Sequence, residues 1–370
     1  VYELLGLPRK LSGEIGHSLS IEASQGAFDP DTSELDNASS GNSLADALYA
    51  QVSEITDNRK LKAAYAEHYG MNVSDVKPQQ MKQAQEAFEA AQVRRARETV
   101  AQMQGADDKA VFDALRAQYE TQPNLDVRSS SSMQRQAYST PAPLAYVASR
   151  MAGIDGRTNV YEPAAGNGML LIGASHDRAT VNELDDARAI NLAAQGFDVT
   201  KNDSVMWSPD GGHSRMIANP PFGRLKDDNG SIRFESFDGY RLSAIDHVMA
   251  ARSLEAIGDD GKAVLIIGAN KEAGNIASHD RIFFNWLYSH YNVTDHFEVN
   301  GDLYSRQGAG WPVRVIKVDG RVESDQISPR SGQIERLDDW ESVYERAESN
   351  MESRGAVAGA TGTGVGSISE

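Results

Sequence analysis

Apolar residues recur at helical spacing between Leu44 and Tyr119. Leu44, Leu48 and Val52 form one stripe, and Leu61, Ala64, Tyr65 and Tyr69 form a second. Pro78 opens a further helix through Phe88, Val93 and Val100, and a last one covers Ala106 to Tyr119. A polar linker, Thr121 to Ser132, interrupts the pattern. Beyond it the period changes. A helix from Pro143 to Met151 leads into strands at Thr158–Tyr161, Ala179–Asp185, Asp198–Lys201 and Ser214–Ala218. Helices at Met169–His176 and Ala187–Gln195 separate the first three of these strands. Helix Arg241–Ile257, strand Ala263–Gly268, helix Asp280–Ser289 and strand Val293–Val299 continue the alternation, and a hairpin pairs Leu303-Tyr304 with Val313–Val318. Strands alternating with helices predict a Rossmann-like, doubly wound α/β sheet whose ligands sit at the carboxyl ends of the strands.

The expected organisation is a disordered or loosely docked segment at residues 1–43 and a helical region at 44–127. The α/β domain follows at 128–322, and an acidic tail with one short helix around Trp340 to Ala347 closes the chain at 323–370. Hydrophobic residues make up 40% of the 370 positions and charged residues 24%, as in ordinary globular chains. No apolar run is long enough to span a membrane and no signal-peptide pattern opens the chain, so a cytoplasmic or virion-associated location is expected. The chain begins with Val1, as a processed protein or a piece of a longer one would.

The formal net charge of −17 argues against non-specific coating of nucleic acid, so any nucleic-acid enzyme here must gather its Lys and Arg on one face. The run Arg94-Arg95-Ala96-Arg97 reads first as a solvated helix face and second as a phosphate contact. The chain has no cysteine, which removes disulfides, thiolate metal sites and Cys nucleophiles. No metal site is expected.

Two stretches carry chemistry. Glu162-Pro163-Ala164-Ala165-Gly166-Asn167-Gly168 lies where the first strand of the sheet hands over to its helix, and its glycines let backbone pass close to a nucleoside-bearing ligand. A dinucleotide turn would carry a third glycine where Leu171 stands. Glu162 would also repel a phosphate, but it suits a cationic amine or sulfonium. Glu183 ends the second strand, where a carboxylate can accept ribose hydroxyls, and Asp203 follows the third, placed to accept from an adenine amine. Together these acids point to S-adenosylmethionine; the bland alternative is a glycine-rich turn with surface acids. The second stretch, Asn219-Pro220-Pro221-Phe222, ends the fourth strand. Its carboxamide, its proline-fixed carbonyls and its ring suit a planar group bearing an exocyclic amine, and otherwise make a strand-ending turn.

With these motifs the chain resembles the N6-adenine DNA methyltransferases over about residues 130 to 320. The matching cofactor positions are Tyr138-Ser139-Thr140-Pro141, Glu162 to Gly168, Glu183 and Asp203, and the matching catalytic positions are Asn219, Pro220, Pro221 and Phe222. The segment Leu303 to Val313 is similar to the methylase modules of antirestriction methylase–helicase proteins of phages and mobile elements, although no helicase motif is present. The resemblance implies S-adenosylmethionine as cofactor, DNA as partner, a flipped-out adenine as acceptor, and a helicase region or partner subunit outside this chain. Lack of Cys excludes methylation at carbon 5 of cytosine; N4-cytosine chemistry remains open. The acidic stretch after the last strand leaves no room for a large target-recognition domain, so weak or short sequence specificity is expected. The loop Gly223 to Asp238, with Arg224, Lys226 and Arg233, is the candidate local DNA contact, or else a mobile surface loop. RNA adenine, a protein glutamine amide, and a non-catalytic methylase-like module are the competing readings.

Overall fold

The structure, a computed structural model, describes residues 44–125 and 139–351. The expectations for residues 1–43, for Tyr138 and for the glycine-rich stretch near the end fall outside these residues. The first helices follow the apolar stripes: α1 (Leu44–Ala50), α2 (Asn58–His68), α3 (Pro78–Gln102) and α4 (Asp108–Thr121). Their starts are chemically marked. Asp57 accepts from Arg59 and Lys60 N–H at 2.8 and 3.0 Å to cap α2, and Asp107 accepts from Ala110 N–H at 2.7 Å to cap α4. Pro78 occupies the first turn of α3, where its missing N–H costs nothing.

After α5 (Ala142–Met151) come β1 (Val160–Glu162), β2 (Ala179–Asn182), α6 (Asp186–Ala194), β3 (Val199–Thr200) and β4 (His213–Ala218). A small hairpin, β5 (Glu235–Phe237) and β6 (Tyr240–Leu242), precedes α7 (Ile245–Leu254). The chain then forms β7 (Ile257–Gly268), α8 (Ser278–His290), β8 (Tyr291–Val299), β9 (Val313–Arg321), β10 (Arg336–Leu337) and α9 (Trp340–Glu348). Among the described residues the main sheet has the order β10-β8-β9-β7-β4-β1-β2-β3. β9 runs antiparallel between β7 and β8, and the other pairings are parallel. The doubly wound α/β sheet expected from the alternation is present, and strand order reverses between β1 and β4.

Alternation along the strands explains the two layers. Val264 and Ile266 of β7 face a core shared with α4, α5 and α9, while Ala263, Leu265 and Ile267 face one shared with α7 and α8. A third cluster, with Leu48, Leu61, Tyr65 and Phe88, belongs to the first helices. Helix α3 joins the two systems: Ala84, Phe88 and Ala91 face the helical cluster, and Val93 and Ala96 face the sheet core.

Three expectations on elements are corrected. Leu303 and Tyr304 lie in a short tight helix, Gly301–Gln307, and β9 pairs with β7 and β8 instead of forming a hairpin with them. Apolar β9 is buried on both faces, so it takes a central place that a two-stranded ribbon could not offer. Met169–Leu171 is a single tight turn followed by His176–Arg178, and Gly173 sits where the longer helix was expected. Arg241 belongs to β6, so α7 starts at Ile245. The acidic stretch after Val322 contributes β10 and the expected short helix, α9, whose Trp340, Val343 and Tyr344 are buried in the sheet core.

Candidate active site

Five parallel strands end at the same edge, so the residues that follow them are neighbours. Glu162 closes β1, Glu183 follows β2, Asp203 follows β3, Asn219 follows β4 and Ala269 follows β7. The switch in strand order between β1 and β4 places Glu162 and Asn219 on either side of the crevice where such sheets take their ligands.

The turn after β1 is held from several directions. Gly166 and Gly168 adopt left-handed φ of 57° and 90°. The positive φ favours glycine at 168, and a Cβ there would lie 2.9 Å from Leu192 Cδ2 and would have to displace that methyl. Gly166 N–H donates to Glu183 Oε2 at 2.7 Å, and Asp185 N–H donates to Glu183 Oε1 at 2.8 Å. Asn182 binds the loops together, donating to Pro163 O at 3.1 Å and to Asn202 O at 2.9 Å. Ala164 is half-buried beside these groups.

Glu162 is 1% exposed and its Oε2 meets no hydrogen-bond partner among the described residues. Burial, reinforced by Glu183, pushes its carboxyl well above the ordinary range, and Arg97 opposes the shift. A buried carboxyl with an orphaned oxygen is costly unless a donor or a cation meets it. The group therefore fits a cationic ligand atom. Burial also raises Glu183, against the pull of Arg188. Asp203 is exposed; its Oδ1 accepts from Val205 N–H at 3.0 Å.

Across the crevice, Asn219 Nδ2 donates to Thr140 Oγ1 at 2.9 Å, which fixes the plane of the carboxamide. Pro141 opens the path into α5, and its carbonyl accepts from Ala145 N–H at 2.9 Å. Pro220 is buried, and Pro221 and Phe222 are half-buried. The Phe222 ring lies against Gly268, 3.6 Å from where a Cβ on that residue would stand. The structure thus brings Thr140, Glu162, Glu183 and Asn219 to one edge.

Helix α3 supplies residues that pattern reading missed. Asn167, 2% exposed, donates to Glu89 at 2.8 Å and to Glu86 at 3.2 Å, and accepts from Asn191 at 3.0 Å. Ser139 also donates to Glu89. Glu86 pairs with Arg188 of α6 at 2.8 Å; despite burial this partner holds its carboxyl below the usual value, whereas burial and Glu86 raise Glu89. Arg97 donates to Ala174 O at 3.0 Å, and its guanidinium lies 4.9 Å from the centroid of Phe197. Burial lowers it to about 10. The basic run is therefore divided: Arg94 pairs outward with Asp46, and Arg97 turns in toward Glu162. The acids Glu86 and Glu89, set among the buried positions Ala84, Gln85 and Phe88 of α3, were the available signal.

The loop after Phe222 is built, not loose. Leu225 is buried, its N–H donates to Ser243 O at 2.8 Å, and Arg233 N–H donates to Leu225 O at 3.0 Å. Arg224 donates to Ser243 Oγ at 2.7 Å, Lys226 is exposed, and Arg233 pairs with Glu235 at 3.4 Å. Among the described residues, no group of three or more His, Asp and Glu could hold a metal ion. No described helix is long and apolar enough to cross a membrane.

No protein-family model matches the chain, and no curated protein matches it. Solved structures do. One, from Listeria monocytogenes and assigned as a class I S-adenosylmethionine-dependent methyltransferase, is similar over 84% of this chain and 100% of its own, with 12% identity and a TM-score of 0.45. The type I restriction-modification methyltransferase subunit from Streptococcus thermophilus is similar over 88% of this chain and 76% of its own, with 11% identity and a TM-score of 0.43. A modification subunit assigned to a type I restriction enzyme from Vibrio vulnificus is similar over 79% of this chain and 62% of its own, with 10% identity and a TM-score of 0.44.

Proposed function

We propose that the chain is an S-adenosylmethionine-dependent methyltransferase that modifies the N6 amine of adenine in DNA. The observation that carries the reading is the pair of groups flanking the switch point: buried Glu162, whose Oε2 meets no hydrogen-bond partner among the described residues, on one side and the Asn219-Pro220-Pro221-Phe222 turn on the other. Glu162 would meet the cationic end of the cofactor, Glu183 the ribose and Asp203 the adenine, with Gly166 and Gly168 letting the backbone approach. When bound, that cofactor supplies a methyl carbon made electrophilic by a sulfonium.

An aromatic amine is a weak nucleophile because its lone pair is delocalised into the ring. The carboxamide oxygen of Asn219 and the carbonyl of Pro220 would accept its two hydrogens and localise that pair. Phe222 would stack on the base. Asn219 therefore acts by orientation and charge, with no covalent intermediate. The acceptor atom is inaccessible within a duplex, so the base would be flipped out or taken from a single strand.

On this reading the sequence preference is weak or short, which suits protection of phage or mobile-element DNA from restriction. A helicase region or a partner subunit would then select the DNA. Radioactive methyl transfer offered DNA, RNA and protein tests the acceptor, and mapping modified adenines in cells expressing the chain tests the preference. Transfer confined to RNA or to glutamine would replace the DNA reading, and a long strict consensus would refute weak specificity.

A further inference from the structure

The turn after β7 is fixed by more buried charge than a surface turn needs. Arg314, fully buried, donates to Gly268 O at 3.0 Å, Asn275 O at 2.7 Å and Asp280 at 3.0 Å. Glu298, also fully buried, accepts from Gly274 N–H at 2.9 Å and from Arg336 at 2.6 Å. Arg336 in turn donates to Lys271 O at 2.7 Å and Asn270 O at 2.5 Å. Desolvating such groups is costly, and well-packed apolar residues would often stabilise a core equally well. What this network does secure is the position of residues 268–276.

That turn and the loop before β9 each present one group to solvent. The Lys271 ammonium is exposed, lies 5.1 Å from the centroid of Trp311, and has no carboxylate partner among the described residues. Trp311 is 41% exposed, yet its Nε1 donates to Ala269 O at 2.6 Å. Ala269 N–H donates to Pro312 O at 3.0 Å, and a Cβ on Gly301 would overlap the Gly310 carbonyl, so the Trp311 loop is seated closely on its neighbour. A Cβ on Gly268, one residue before Ala269, would stand 3.6 Å from the Phe222 ring. Register places Val313 opposite Gly268 and Ala218 opposite Leu265, so Trp311 stands about two strand spacings across the sheet and about four residues further along it, on the order of 16 Å from Asn219 at the same edge.

We infer that Trp311 and Lys271 form a grip for an unpaired DNA strand at the same sheet edge as the acceptor turn, Trp311 stacking on a base a few nucleotides from the target adenine and Lys271 meeting a phosphate. The inference rests on the proposed DNA acceptor. An aromatic face held by its own N–H, beside a free ammonium, matches the stacking-plus-charge chemistry of single-strand binding. Preorganisation by Arg314 and Arg336 explains why the turn is clamped.

The test titrates an adenine-containing single-stranded oligodeoxynucleotide, and the matching duplex, into the full chain with S-adenosylmethionine present. Trp311→Ala should weaken single-strand binding roughly 10- to 100-fold and raise KM for that strand, while Trp311→Phe stays near wild type. Lys271→Ala should lower the salt slope by about 0.7. Unchanged cofactor affinity in Trp311→Ala shows that the variant is folded; if it is not, the Lys271→Ala salt slope decides. Unaltered binding and KM in Trp311→Ala, or a duplex bound as tightly as the single strand, overturns the inference. A wild-type chain that methylates no DNA overturns the acceptor reading itself, a separate failure.

Discussion

The Asn219 carboxamide nitrogen donates to the Thr140 hydroxyl at 2.9 Å, joining the turn after β4 to the start of α5. An amine acceptor can be bent toward its methyl donor only if the carboxamide plane is held. Thr140→Val should therefore reduce kcat about tenfold, a barrier change of about 1.4 kcal/mol, with a smaller effect on cofactor affinity. Asn219→Ala should abolish transfer while cofactor binding survives. Single-turnover methyl transfer and calorimetry separate the two effects, and an Asn219→Ala protein with full activity would end the acceptor assignment.

The proposed contact of Glu162 with the cofactor's cation predicts that cofactor binding depends on pH. Its carboxyl is raised above the ordinary value of 4.5 by burial and then by Glu183. A cationic ligand favours the carboxylate, so binding should release a proton and tighten as pH rises toward the raised value. Calorimetry in buffers of different ionisation enthalpy measures that proton, and Glu162→Gln should remove it. The ligand-free fold carries the opposite sign. The folded carboxyl holds its proton more tightly than the unfolded one, so its contribution is complete below the unfolded value and is lost as pH rises through the folded one. Melting temperature should fall over that window and flatten in Glu162→Gln.

Gly168→Ala places a side chain on a φ of 90° and 2.9 Å from Leu192 Cδ2. Strain and overpacking each cost about 1–3 kcal/mol. Thermal unfolding should show this loss, and cofactor affinity should fall with it because the same turn faces the ligand. Unchanged melting and affinity would contradict the close packing of that turn.

Helix α3 should respond to cofactor, because Glu86 and Glu89 hold Asn167 and Arg97 lies by Glu162. Ligand at about one hundred times its Kd should stabilise the fold by about 2.7 kcal/mol. Hydrogen exchange should slow in residues 86–97 as well as in the glycine turn. Protection limited to the sheet would show that α3 is a bystander.

The sheet was legible because β4, β7 and β9 carry apolar runs bounded by turn residues, and because motif positions fall on strand ends. Its wrong points share a cause: pairing is non-local. Val313–Val318 reads as a strand, but nothing in its own residues says that it lies between β7 and β8 and not against Leu303-Tyr304. Likewise Glu89 reads as one more acid on a helix, and only tertiary packing brings it to Asn167. The positions of Gly166, Glu183 and Asn219 after strand ends were readable because a strand and the turn that follows it are local features. Arg314 and Glu298 were not, since a charge within an apolar strand carries no mark of the partner that neutralises it.

The two ends of the main sheet are closed by β3 and β10, each only two residues long. A long bare strand at either border would offer a row of unpaired N–H and C=O groups to another copy of the chain. β10 covers only Glu298 and Val299 of β8 and leads directly into α9, whose Arg346 pairs with Asp295 of β8, so that border is screened by a charged helix as well as by the short strand. Edge-to-edge association at β8 is thus opposed by the helix that follows its short neighbour and not by strand pairing alone.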